Sequence, residues 1–181
     1  MHEDEFPRLE TTLDGLKKLN PSFIKENGTI TAGNASGIND GAAMLQLCSS
    51  KEAELRNLKP LCKIVSWAQY GCEPMLMGVA PIACIQNALK KANWSLDDVD
   101  LFEINEAFSS QSCAILKDLK LDESKVNING GSIALGHPIG CSGARILVTL
   151  VHSLIRNDKR RGLAALCIGG GMSICMCIEK I

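Results

Sequence analysis

Four short segments carry side chains able to do chemistry. Gly136-His137-Pro138-Ile139-Gly140-Cys141-Ser142-Gly143 sets an imidazole in a glycine-bounded loop that feeds a helix. Glycines let a backbone approach a ligand closely, and a helix start favours anions. Cys167-Ile168-Gly169-Gly170-Gly171 sets a thiol at the end of an apolar run, before a loop whose free N–H groups can hold an oxyanion. Asn105-Glu106-Ala107-Phe108 lies where a strand meets a helix, and Asn34-Ala35-Ser36-Gly37-Ile38-Asn39-Asp40-Gly41 is a small polar turn cluster. Each has a purely structural reading as well. His137 can cap a neighbour, Cys167 can be a buried hydrophobe, Asn105 suits a helix N-cap, and Met77, before Gly78, suits packing.

The elements that must position these groups follow from hydrophobic period and turn residues. Residues 1 to 36 are polar, with one amphipathic stretch from Thr11 to Leu19 and a turn at Asn27-Gly28, and read as an edge piece. Beyond Gly41 the pattern predicts strands at Ala42 to Cys48, Cys62 to Ala68, Val99 to Ile104, Val126 to Asn129, Leu163 to Ile168 and Met172 to Ile178. Helices are predicted at Pro81 to Lys91, Glu106 to Leu119 and Cys141 to Ile155. Alternating strands and helices give an α/β layered domain with a mostly parallel sheet, and the final tight β–β connection requires one antiparallel neighbour. Apolar residues cover most of the circumference of the helix from Cys141 to Ile155. Such a helix must be buried on all sides, which predicts a second protein layer that the chain does not itself supply.

Composition bounds the function classes. With 19 Lys+Arg against 20 Asp+Glu in 181 residues, the chain lacks the concentrated basic footprint that nucleic acid or an anionic membrane requires. No apolar run reaches the roughly 18 residues of a membrane span. The acidic start Met1-His2-Glu3-Asp4-Glu5 is unlike a basic or amphipathic targeting peptide, so the expected place is the cytoplasm, or the mitochondrion if a presequence precedes Met1. Nine cysteines without a CxxC pair or a zinc-type Cys/His cluster read as reduced thiols, and no metal site is expected.

Taken together and in order, NASGINDGAA, IVSWAQ, MGVAP, NEAF, GHPIGCSG and CIGGG resemble the thiolase family. Within it they are similar to the C-terminal half of the biosynthetic, cytosolic-type acetyl-CoA acetyltransferases, from about Asp4 to the last residue. The resemblance implies a thiolase-like C-terminal domain over 37–181, preceded by a loop-region remnant over 1–36. That domain would hold a mixed five-stranded sheet with helices on both faces and the last strand antiparallel. It implies the reversible Claisen condensation of two acetyl-CoA to acetoacetyl-CoA, with coenzyme A thioesters as substrates and no other cofactor.

The resemblance also assigns roles. His137 would activate a nucleophilic thiol, and Cys167 would remove the α-proton of the second acetyl-CoA, given neighbours that lower its pKa. Asn105 would hold a water that, with His137, stabilises the enolate oxygen, and Gly169 would lend an N–H to the oxyanion hole. Ala32, Ser36, Met77, Ala107 and Phe108 match the wall of a pantetheine tunnel, and Arg8 matches a position near the nucleotide. None of the nine cysteines matches the family's nucleophile, which lies in the N-terminal half. The expectation is a chain inactive alone, partnered by an N-terminal thiolase half or by full-length thiolase subunits in a homo- or hetero-oligomer. The alternative is a non-catalytic truncated thiolase that binds CoA or joins related subunits.

Overall fold

The computed structural model describes residues 4–181; the acidic start at residues 1–3 lies outside them. Helix α1 (Leu13–Lys17) lies within the predicted amphipathic stretch and starts at Thr12, whose hydroxyl accepts from the Gly15 N–H. Asn27 makes its turn with a left-handed φ of 60°. After α2 (Ser50–Leu55), the chain runs through β1 (Cys62–Gly71), a 3-10 turn at Pro74–Val79, α3 (Ala80–Ala92), β2 (Leu101–Ile104) and α4 (Ser109–Leu119). It closes with α5 (Ser132–Leu135), α6 (Ser142–Arg156), β3 (Arg161–Ile168) and β4 (Met172–Lys180).

The sheet order is β1-β4-β3-β2. β2 pairs parallel with β3, and β4 is antiparallel to both β1 and β3, so the last strand alone runs against the others. Helices cover both faces. Phe102, Ile104, Leu163 and Ala165 pack against Cys84, Ile85, Ala88 and Leu89 of α3 and Ile115 and Leu119 of α4. On the opposite face Leu101, Ala164 and Ile178 pack against Ile146, Leu150, Val151 and Leu154 of α6. Side chains alternate along a strand, so a strand sandwiched between helices is buried throughout, as all four residues of β2 are.

The sheet has four strands, not five. Ala42 to Cys48 forms no strand: a ladder needs a neighbouring edge, none among the described residues meets this segment, and Met44 is 89% exposed. Val126 to Asn129 makes one bridge, Val126 to Phe102, and then leaves, because Asn127 turns left-handed at φ 49°. The Asn127 side chain replaces the lost ladder. Its Oδ1 accepts from the Ile104 N–H and its Nδ2 donates to the Ile104 carbonyl, both at 2.8 Å.

Helix α4 starts at Ser109 rather than Glu106, since Phe108 is extended and bridges Ala35. Asn105 is therefore not its N-cap. Helix α6 is not wrapped on all sides by this chain: Leu147 and Val148 are half-buried and Ile155 is 40% exposed.

Candidate active site

The predicted site segments converge at one end of the sheet. β1, β2 and β3 all run the same way, and their carboxyl ends deliver Cys72, Asn105 and Cys167 to the same rim, where ligands of α/β sheets usually sit. The Asn105 N–H donates to the Ala165 carbonyl at 2.9 Å, one step past the β2–β3 ladder, and Cys167 lies two residues further along β3. The glycine run makes the β3–β4 turn, with φ of 86° at Gly170 and 85° at Gly171. There the Cys72 N–H and thiol both donate to the Gly171 carbonyl, at 2.8 and 3.3 Å, pinning the loop to the end of β1. Gly169, ahead of them, is exposed.

Backbone contacts stitch the remaining segments together. The His137 N–H donates to the Gly37 carbonyl at 2.9 Å, and His137 bridges Ile38. Ser36 N–H and Ser36 Oγ–H both donate to the Ala107 carbonyl at 3.0 Å, and the Ser109 N–H donates to the Asn34 carbonyl at 2.8 Å. Ser36, Ala107 and Phe108 thus form one wall, backed by an edge-to-face contact of Phe108 with Phe23 at 6.3 Å. Met77 lies on the 3-10 turn beside α4, where Gly78 faces Gln111 closely. Arg8 and Ala32 are exposed and stand outside these contacts.

At the centre, the Nδ2 of Asn105 stands 3.3 Å from the Nε2 of His137. Asn105 is 1% exposed, and its Oδ1 accepts a hydrogen bond from the Ser132 hydroxyl at 2.6 Å. On the far side of the ring, Nδ1 lies 2.5 Å from the Ser142 hydroxyl, which donates to the Pro138 carbonyl at 3.0 Å. Ser142 therefore accepts from an Nδ1–H, and Nε2 keeps a bare lone pair suited to taking a proton. Burial, and then the Arg145 guanidinium, hold the imidazole below its ordinary pKa, so it is neutral at neutral pH. Arg145 donates from Nη2 to the Ser132 hydroxyl at 2.8 Å and from Nη1 to the Gly136 carbonyl at 3.2 Å.

Burial pushes the Cys167 thiol up, against the sequence-based expectation of a lowered one. Its side chain is enclosed by the sheet layer, where a thiolate loses more hydration than the turn restores. Glu103, buried on β2, has its carboxyl pushed up to about 7 by desolvation, with Arg145 opposing and Glu106 adding to the rise. Ser132, Ser142, Arg145 and Glu103 escaped the sequence reading. Ser142 lies within the GHPIGCSG motif itself, five residues after His137, but its role depends on a loop folding back. Among the described residues no His, Cys, Asp and Glu group could hold a metal, and no helix is long and apolar enough to cross a membrane.

Comparison with known proteins matches the same elements. Residues 58–180 fit the family model of the thiolase C-terminal domain, and residues 1–51 fit that of the thiolase N-terminal domain. The chain is 59% identical over 178 residues to the cytosolic acetyl-CoA acetyltransferase of Mus musculus and 58% identical to that of Rattus norvegicus, covering 98% of this chain. It spans only 45% of the length of each of these curated relatives. A crystal structure of the Bacillus anthracis acetyl-CoA acetyltransferase superposes with a TM-score of 0.95 at 49% identity, over 99% of this chain and 45% of that one. Human mitochondrial 3-ketoacyl-CoA thiolase in complex with CoA superposes at 0.92 and 46% identity, over 100% of this chain and 46% of that one. With family models matched along nearly its whole length, the chain belongs to the thiolase family.

Proposed function

We propose that these residues form the proton-transfer half of an acetyl-CoA C-acetyltransferase, and that the acylated thiol is supplied by an N-terminal thiolase half. The observation that carries the reading is the Asn105–His137 pair at 3.3 Å, with a bare Nε2, on the sheet rim that also holds Cys167 and the glycine turn.

Proton balance then gives each group its step. His137 Nε2 takes the proton from the partner's thiol as its sulfur attacks the acetyl thioester, and the C–S bond to CoA breaks. The leaving CoA thiolate takes its proton from Cys167, whose raised pKa fits a group that starts as a thiol. The resulting Cys167 thiolate removes the α-proton of the second acetyl-CoA. His137, now protonated, and a water held by Asn105 Nδ2 present neighbouring donors to the enolate oxygen. The new C–C bond expels the partner's thiolate, which recovers its proton from His137. Arg145 destabilises the imidazolium and so favours that return.

Gly169 lends its N–H to the acyl oxyanion. Ala32, Ser36, Met77, Ala107 and Phe108 line the pantetheine path, with Arg8 beside its nucleotide end. Coenzyme A thioesters enter as substrates, and the place of action is the cytoplasm, as for the cytosolic relatives. The partner is an N-terminal thiolase half or a thiolase subunit.

Acetoacetyl-CoA thiolysis, followed by loss of its absorbance, tests this. The 181-residue chain alone should show no turnover, and adding the N-terminal half of a relative should restore it. Turnover by the chain alone that vanishes in Cys167→Ala would overturn the missing-nucleophile reading; a stable assembled pair without turnover would overturn the thiolase reading.

A further inference from the structure

The polar groups around His137 form a single file: Arg145, Ser132, Asn105, His137, Ser142 and the Pro138 carbonyl, each within 3.3 Å of the next. Both ends of the file have a fixed sense. A guanidinium has donors and no acceptor, and a carbonyl oxygen has acceptors and no donor. Ser132 must therefore accept from Arg145, and its one hydrogen is turned to Asn105 Oδ1. That fixes the amide with Nδ2 facing the imidazole, and an NH2 group can only meet a bare Nε2. The proton is left on Nδ1, where Ser142 accepts it and passes its own hydrogen to Pro138.

We infer that Ser132, held by Arg145, is a positioning residue that sets the amide orientation of Asn105 and through it the Nδ1–H tautomer of His137. Ser132 is itself 1% exposed, and it lines a small pocket with Glu103, Asn105 and Arg145; at that burial bulk water does not replace its hydroxyl. Without that hydroxyl, the amide is free to present Oδ1 to the ring, which then favours a proton on Nε2 and removes the base. Asn105 Oδ1 and Arg145 Nη2 would also both lose a buried partner.

The inference deepens the proposed role of His137, but its test reads the ring itself and stands whether or not the assembled pair turns over. Magic-angle-spinning spectra of the nitrogen-15 histidine-labelled full chain, which tolerate self-association, distinguish protonated from bare ring nitrogens. His137→Gln identifies the signals. The parent should show one species, Nδ1–H with bare Nε2. Ser132→Ala should show a shift to mixed tautomers, Ser132→Thr should restore the parent pattern, and Ser142→Ala, which removes the Nδ1 acceptor, should shift the ring by itself. An Nε2–H parent, or a Ser132→Ala spectrum identical to the parent's while Ser142→Ala moves, would overturn the inference. Should Ser132→Ala fail to fold, Ser132→Cys decides: its weak donor should give mixed tautomers, and a parent-like ring would count against Ser132.

Discussion

At the scale of single residues, the buried carboxyl of Glu103 gives a prediction independent of catalysis. It holds its proton more tightly folded than unfolded, with a pKa raised from 4.5 to about 7. That advantage is complete below about 4.5 and is lost as pH rises through about 7. Glu103→Gln carries no such penalty, so its stability relative to the parent should climb between these pH values by about 3 kcal/mol and then level off. Denaturant midpoints at pH 4.5, 6 and 8 measure it; a pH-independent difference would show that Glu103 titrates alike in the folded and unfolded chain. His137, Asn105 and Cys167 were legible in the sequence as candidates, because motif types and order named them, and the structure brings their segments to one rim. Glu103, Ser132 and Arg145 were not. Each reads as an ordinary residue of its strand or helix, and their significance arises only when α6 is laid across β2. The rise of the Cys167 thiol was hidden for the same reason, because burial is a property of the layer above it.

At the scale of elements, the β3–β4 turn is held by geometry that only glycine allows at Gly171. Its φ is 85°, and a Cβ there would run into the Cys72 carbonyl. Gly171→Ala should cost at least roughly 2 kcal/mol and should displace the loop that carries Gly169. Thermal melting and amide exchange of the turn measure both; an unchanged melt would mean that the loop has room the contacts deny. The long helices and the closing strands were readable from period and capping, including α3, which opens with Pro81 in its first turn and ends on left-handed Asn93. The two failed strands were not. Ala42 to Cys48 has strand-like composition but no edge to pair with among the described residues. Val126 to Asn129 is replaced after one bridge by a side-chain amide, a tertiary substitution that local pattern cannot show.

At the scale of the whole molecule, exposed apolar side chains flank the site. Ile38 and Ile139 flank His137 and are 91% and 70% exposed, and Met44 and Trp67 add exposed apolar surface elsewhere. Patches of this kind mark surfaces that another protein covers. The isolated chain should self-associate and bind a hydrophobic dye, as light scattering and fluorescence would report, whereas a monodisperse, dye-silent monomer would contradict that reading. Calorimetry with CoA should show binding far weaker than in a full-length relative, because Ser36, Ala107 and Phe108 provide only one wall; submicromolar affinity would mean that the tunnel is complete within this chain. The central claim is that His137 and Cys167 move different protons, one from sulfur before acyl transfer and one from carbon after it. Trapping labelled acetyl-enzyme in the pair reconstituted with an N-terminal half tests that claim most directly. His137→Ala should suppress acylation by orders of magnitude, and Cys167→Ala should still accumulate acetyl-enzyme while failing to condense it. Equal loss of acylation in both variants, in a pair that still assembles, would contradict the assignment.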